Sequence, residues 1–164
     1  MNKIYLIAFI AFGLFSCGKK TENVIEVKDV VLEAEGPYFE GPNTFQSVIK
    51  GILKNNNINP EQVEGVTLTS ATITLPDGIE EGAIQDLSLQ MVSSNSDMMK
   101  VAFVNPLPSN QKVVALTTAA EQDGLNKIFS TDDFIILLDA NLKKDMEATL
   151  NFKANLTFKI LTKS

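Results

Sequence analysis

The sequence predicts an all-β protein, an antiparallel β-sandwich of about seven strands with an immunoglobulin-like architecture and one short helix near residues 44–55. Three observations lead to this fold class. Residues 146–161 alternate apolar and polar side chains without exception, as in a strand with one buried face. Other short, β-branched segments recur between turns that contain glycine, proline or asparagine. A single stretch has the period of a helix of several turns.

The first half of the chain contains a predicted strand, a loop, a helix and a second strand. Residues 23–35 are rich in valine and mostly alternate, which favours a strand. The two Gly-Pro pairs within residues 36–42 favour a loop, because proline fits neither a helix interior nor a central strand. Asn43 is a suitable N-cap for a helix whose apolar residues follow at helical spacing, namely Phe45, Val48, Ile49, Ile52 and Leu53. Residues 66–75 then form a threonine-rich strand.

The second half of the chain consists mainly of predicted strands, at residues 86–93, 98–104, 112–119, 134–138 and 146–161. One or two helical turns are expected at residues 123–129. Residues 134–138 are apolar without alternation, which indicates a central strand covered on both faces. The last strand would be about 50 Å long at about 3.3 Å per residue, so we expect a bend or bulge near residues 151–155.

The composition excludes several kinds of chemistry. The chain has 20 acidic and 14 basic residues and a net charge of −6, so nucleic acid is not an expected partner. It contains no histidine, arginine or tryptophan, and its one cysteine is Cys17. Catalysis by Ser-His-Asp or Cys-His groups and zinc sites of the Cys/His kind are therefore excluded. We expect no cofactor and no enzymatic activity; a carboxylate-based glycan hydrolase is a remote alternative.

The N-terminus has the pattern of a secretory signal. Lys3 precedes an apolar run, residues 4–15, that is too short to span a bilayer as a helix. The run ends in Leu14-Phe15-Ser16-Cys17, which resembles the lipobox of bacterial lipoproteins of the Bacteroidota type. The resemblance implies that residues 1–16 are removed and that Cys17 carries a lipid. Residues 17–23 would then be the lipidated cysteine and a tether, and residues 24–164 a single domain.

The same resemblance implies a location in the cell envelope. Gly18 replaces the aspartate that retains some lipoproteins in the inner membrane, so the outer membrane is expected, on either of its faces. The order of elements after residue 23 also resembles small uncharacterised β-sandwich lipoproteins of the Bacteroidota envelope, although no signature motif is present. That resemblance implies no particular activity.

Candidate site residues lie in three predicted loops. Tyr38 and Phe39, between the two Gly-Pro pairs, are the best candidates for a recognition loop, since exposed aromatics stack on glycans or proteins. Asp77, Glu80 and Glu81 offer carboxylate oxygens for calcium but lack the EF-hand spacing, so no metal is expected. The acidic pairs at residues 80–81 and 132–133 would suit glycan hydrolysis only if two carboxylates faced each other across a cleft.

These observations favour a lipid-anchored envelope protein that acts by binding, as an accessory or recognition module. Its expected partners are the membrane, through the lipid, and another envelope protein or a glycan. An alternative is a fimbrial or adhesin-type structural subunit, because a long alternating terminal strand suits assembly by strand exchange.

Overall fold

The computed structural model describes residues 20–147 and 149–163, so the predicted signal, the predicted lipobox and Cys17 lie outside the described residues. The described chain forms nine strands: β1 (Lys20–Leu32), β2 (Gly41–Ile49), β3 (Val63–Thr74), β4 (Ile84–Ser93), β5 (Ser96–Val104), β6 (Val113–Ala115), β7 (Thr117–Thr118), β8 (Phe134–Leu142) and β9 (Phe152–Lys163). It also forms three short helices: α1 (Ile52–Asn55), α2 (Leu125–Ile128) and a 3₁₀ helix at Pro60–Gln62.

The strands pair antiparallel in two sheets. The first sheet has the order β1-β9-β3-β6, and the second has the order β2-β8-β4-β5-β7. Their inward side chains form one continuous apolar core. The predicted all-β sandwich is thereby confirmed, and it contains little helix.

The core is built from alternate residues of the strands. In β9 every second residue from Phe152 to Ile160 is buried, as the alternation in the sequence predicts. Phenylalanine rings meet in two groups: Phe45 packs edge-on against Phe152 at 4.7 Å between ring centroids, and Phe129 contacts Phe134 and Phe158 at 5.0 Å. Burying one such ring contributes about 1.5–3 kcal/mol, so these groups are a large part of the stability.

The region predicted as a helix near residues 44–55 is mostly a strand. Gly41–Ile49 is β2, which pairs with β8 along its whole length, and only Ile52–Asn55 is helical. The spacing of Phe45, Val48 and Ile49 fits a helix, but these residue types also favour strands. The nine-residue pairing with β8 satisfies the backbone of β2 and outweighs the local period. Val48 consequently points outward and is exposed.

Three further boundaries differ from the prediction. The predicted strand at 112–119 is divided at Leu116, since β6 pairs with β3 in one sheet and β7 pairs with β5 in the other. β1 begins at Lys20, because residues 20–23 of the predicted tether pair with the end of β9. β9 begins only at Phe152, while Met146 pairs with Tyr38 outside the sheet, so the last strand is broken rather than bent.

The predicted central strand at 134–138 is part of β8, which does lie between β2 and β4. Its outward side chains, Ile135 and Leu137, are only half-buried. The strand is therefore central in its sheet without being fully covered on both faces.

The direction of the strands gives the sandwich two distinct ends. We call the near end the one at which β1 begins, where Lys20 lies beside Lys163 and Val63 beside Thr162. Residues 50–62, 94–95 and 119–133 connect strands there. We call far loops the connections at the opposite end, which are residues 33–40, 75–83, 105–112 and 143–151. The 13 residues of β1 at about 3.3 Å each separate the ends by roughly 40 Å.

Candidate functional site

The far loops are tied to one another by polar contacts. Lys112 of the third far loop binds Asp77 of the second, with 2.5 Å between Nζ and Oδ1. Lys144 of the fourth loop binds Glu80 of the second. The fourth loop also reaches the first, because Asp145 Oδ1 accepts a hydrogen bond from Glu40 N at 2.8 Å. Four segments that are distant in sequence thus form one surface.

A cleft of about 300 Å³ lies between the second and third far loops. Its apolar lining consists of Leu75, Pro76, Ile79, Ile84, Leu107 and Pro108, and its polar lining includes Glu80, Glu81, Ser109, Asn110, Gln111 and Lys112. The wall formed by residues 105–112 contains no acidic residue. Glu80 and Glu81 therefore have no facing carboxylate on that wall, which hydrolysis by a carboxylate pair requires.

A second cleft, of about 360 Å³, lies next to the first. Leu75, Pro76 and Lys112 line both clefts, so the ion pair of Lys112 with Asp77 stands at the boundary between them. The rest of the second lining is polar, with Thr74, Thr149, Asn151 and Lys153. The two clefts differ in chemistry: the first is lined by six apolar side chains, and the second presents mainly hydroxyl, amide, carboxylate and ammonium groups.

The lysines change the titration of two of the calcium candidates. A hydrogen bond from Lys112, and the charge of the same lysine, hold the pKa of Asp77 below its ordinary value. Lys144 lowers the pKa of Glu80 in the same way. Within residues 20–147 and 149–163 no three acidic side chains converge as metal ligands. A cation at Asp77 or Glu80 would compete with a lysine ammonium group for the carboxylate.

Tyr38 of the candidate recognition loop belongs to the core. Its side chain is 2% exposed, and its ring lies 5.3 Å from that of Phe45. The hydroxyl donates a hydrogen bond to Ala34 O at 2.7 Å and accepts one from Leu150 N at 3.4 Å. Backbone hydrogen bonds in both directions join Tyr38 to Met146. Tyr38 therefore fixes the loop and is not available to a partner.

Phe39, in contrast, is 63% exposed. Its backbone is held by the side chain of Asn43: Asn43 Oδ1 accepts from Phe39 N at 3.3 Å, and Asn43 Nδ2 donates to Phe39 O at 2.7 Å. The amide of Asn43 thus replaces the hydrogen bonds that a neighbouring strand would make. The expectation that Asn43 is a helix N-cap is therefore wrong, and its actual role depends on the strand conformation of β2, which the local sequence does not reveal.

The second acidic pair, Asp132 and Asp133, stabilises a helix end. Asp132 Oδ1 accepts from the backbone N of Leu53 at 2.9 Å and of Lys54 at 3.3 Å, at the start of α1. Asp133 Oδ1 accepts from Gly51 N at 3.2 Å. These carboxylates satisfy backbone donors that a short helix leaves free. They lie at the near end, away from Glu80 and Glu81.

The far loops carry most of the net charge of the protein. They contain eight acidic residues and three lysines, so five of the six net negative charges of the chain lie in these four segments. Two of the three lysines, Lys112 and Lys144, are already paired with Asp77 and Glu80. A partner of this surface therefore meets an acidic field.

Comparison with known proteins gives no family model, no curated protein and no solved structure that matches this chain. Among the helices of the described residues, none has the length and apolar character needed to cross a membrane.

Proposed function

We propose that this chain is a lipoprotein of the bacterial cell envelope, anchored in the outer membrane by a lipid on Cys17. We further propose that it acts by binding, with the far loops as its recognition surface and another envelope component as its partner. The lipobox pattern supports the anchor. The observation that carries the recognition role is that the two clefts and the exposed Phe39 all lie at the far end.

The geometry of β1 links the two parts of the proposal. β1 begins at Lys20, three residues after Cys17, so an acyl chain on Cys17 would keep the near end close to the bilayer. Two or three acyl chains are sufficient for stable attachment without another membrane segment. The far loops would then face away from the membrane, roughly 40 Å from its surface, which is a suitable position for contact with a partner.

The fimbrial alternative has less support. Assembly by strand exchange would use the long terminal strand, but β9 lies in the middle of its sheet and pairs with β1 and with β3. Donating β9 to a neighbouring subunit would leave β1 without a partner in its sheet and β3 paired only with the short β6. A binding role requires no such rearrangement.

Acylation of Cys17 is the direct test. Cells that make the wild-type chain are grown with labelled palmitate and compared with cells that make Cys17→Ser. We expect label and partition into detergent for the wild type, and an unlabelled precursor for the variant. As a control, Cys17→Ser/Ser94→Cys restores a thiol at an exposed turn without restoring the lipobox, and it should remain unlabelled. A wild-type chain that is unlabelled and free in the periplasm would refute the anchor.

A further inference from the structure

Phe39 combines an exposed apolar side chain with a backbone that several hydrogen bonds hold in place. The backbone of Phe39 is bound by Asn43 on both its N–H and its carbonyl, and the residues on either side are also fixed, Tyr38 by Met146 and Glu40 by Asp145. The ring nevertheless remains mostly in solvent. A side chain presented in this way loses little conformational freedom on binding, as is typical of interface anchors.

The groups around Phe39 are acidic. The pairing of Tyr38 with Met146 brings Asp145 beside Phe39, and Glu147 beside Pro37. Glu35 and Glu40 flank the same loop, and all four of these acidic residues are exposed. None of the four forms a salt bridge with a lysine within residues 20–147 and 149–163. An exposed apolar side chain in loops with four exposed carboxylates that form no salt bridge defines the chemistry of a partner that can cover it.

We infer that Phe39 is the anchor of a docking surface for a protein that offers an apolar socket edged by lysine or arginine side chains. This inference rests on the proposed recognition role of the far loops and names the partner's chemistry. Insertion of the ring into a membrane is disfavoured, since anionic headgroups repel the carboxylates and the ring lies roughly 40 Å from the near end. A neutral glycan would gain nothing from the charge, whereas a basic rim gains attraction and orientation.

The test places the photoreactive residue p-benzoylphenylalanine at position 39 of the full chain, in cells that make this protein. The control carries the same residue at Phe103, a 40% exposed phenylalanine on the outer face of the second sheet. Irradiation should link position 39, and not position 103, to one protein. The linked segment of that protein, identified by mass spectrometry, should combine apolar residues with lysine or arginine.

Charge reversal supplies the decisive comparison. Glu35→Lys/Glu40→Lys should reduce the yield of the linked product about tenfold or more, because the basic rim is now repelled. The control Glu61→Lys/Glu121→Lys makes the same change in net charge at exposed near-end positions and should leave the yield within about twofold of the unmodified chain. Both double variants retain the backbone contacts of the loop.

Several results would overturn the inference: no product at position 39, equal products at positions 39 and 103, a product with lipid or glycan, or a yield that Glu35→Lys/Glu40→Lys leaves unchanged. Palmitate labelling of the same cells separates this failure from failure of the anchor. A labelled chain without a product contradicts the docking surface alone, whereas an unlabelled, soluble chain contradicts the lipoprotein assignment.

Discussion

The two ends of the sandwich connect the same strands, and the loops at both ends bury some side chains, such as Tyr38 at the far end, but the two ends differ in what their loops leave exposed. At the near end the loops close the core. Four of their apolar side chains are fully buried although they lie outside the strands, namely Leu53, Leu125, Ile128 and Phe129. At the far end the loops surround two clefts and leave Phe39 in solvent. Loops that only had to seal the core would be expected to look alike at both ends.

Polar side chains show the same contrast. At the near end they bind backbone: Gln122 Oε1 accepts from Leu68 N and Asn126 Oδ1 from Val66 N, each at 2.7 Å. These two amides cover a part of the β3 edge that β6 is too short to reach, and an open edge invites pairing with another chain. At the far end Asn43 and Asp145 also bind backbone, but only within the connections themselves, and Lys112 and Lys144 bind carboxylates in solvent. The near end is thus organised for stability, and the far end remains available for contact.

The largest expected effect compares one phenylalanine from each end. Phe129→Ala removes a ring that contacts Phe134 and Phe158 in the near-end core, and it should lower the free energy of unfolding by about 3–5 kcal/mol. Phe39→Ala at the far end should change it by less than about 0.5 kcal/mol. Urea unfolding of both variants measures the difference. If Phe39→Ala proved as damaging as Phe129→Ala, Phe39 would be a structural residue and the contrast between the ends would fail.

A smaller effect is expected at the covered edge of β3. Gln122→Ala removes the acceptor of the Leu68 N–H and the donor to the Leu68 carbonyl, which lies 3.2 Å from Gln122 Nε2. The variant should therefore lose about 1–3 kcal/mol in unfolding free energy. Gln111→Ala, at an exposed position of the first cleft, is the matched control and should be nearly neutral. Light scattering should also detect association of the Gln122 variant, because its β3 edge is open. Equal stability of the two variants would argue against the edge-covering role.

The third comparison takes one aspartate from each end. Asp132→Ala removes the acceptor of two backbone N–H groups at the start of α1 and should cost about 1 kcal/mol in unfolding free energy. Asp132→Asn retains an oxygen acceptor and should recover part of this loss. Asp77→Ala breaks only an exposed ion pair and should leave the urea midpoint unchanged within error. A midpoint that falls equally for Asp77→Ala and Asp132→Ala would contradict this account.

The strand period made much of the fold predictable. The buried residues of β9 could be predicted one by one, because the strict alternation of residues 152–160 leaves only one face of the strand apolar. The conformation of β2 could not be predicted, because the spacing of Phe45, Val48 and Ile49 also fits a helix. Only the pairing with β8 stabilises a strand there. The division of residues 112–119 into β6 and β7 at Leu116 could not be predicted from the sequence either, because it depends on the pairing of β6 with one sheet and of β7 with the other.

The candidate site was predictable only in part. Two Gly-Pro pairs indicated a loop with two aromatics, but not which ring would be buried. That choice depends on Ala34 O and Leu150 N, which satisfy the hydroxyl of Tyr38, and phenylalanine has no group that needs such partners. The clefts were not predictable at all, since residues 75–83 and 105–112 meet only through the strand order. The acidic character of the far loops also emerges only when four segments are brought together.

The smallest expected effect concerns the pH dependence of the far-end ion pairs. Lys112 and Lys144 lower the pKa of Asp77 and Glu80 below their ordinary values of 3.8 and 4.5. A carboxylate whose pKa is lower in the folded than in the unfolded state stabilises the fold above its ordinary pKa. This contribution is lost as the pH falls through the lowered value. Protonation at acid pH should therefore remove whatever the two lysines contribute.

Lys112→Met/Lys144→Met tests this sign while keeping most of the side-chain length. Its urea midpoint should lie slightly below that of the wild type at pH 6, and the two midpoints should converge as the pH falls through the lowered pKa values and the carboxylates become protonated. NMR titration of the Asp77 carboxyl should show its pKa rising towards the ordinary value in the variant, whereas Lys100→Met on the outer face of β5 should leave it unchanged. A gap between wild type and variant that widened towards pH 3 would mean that the lysines act through packing, and the far loops would then resemble the near end more closely than their exposed ion pairs indicate.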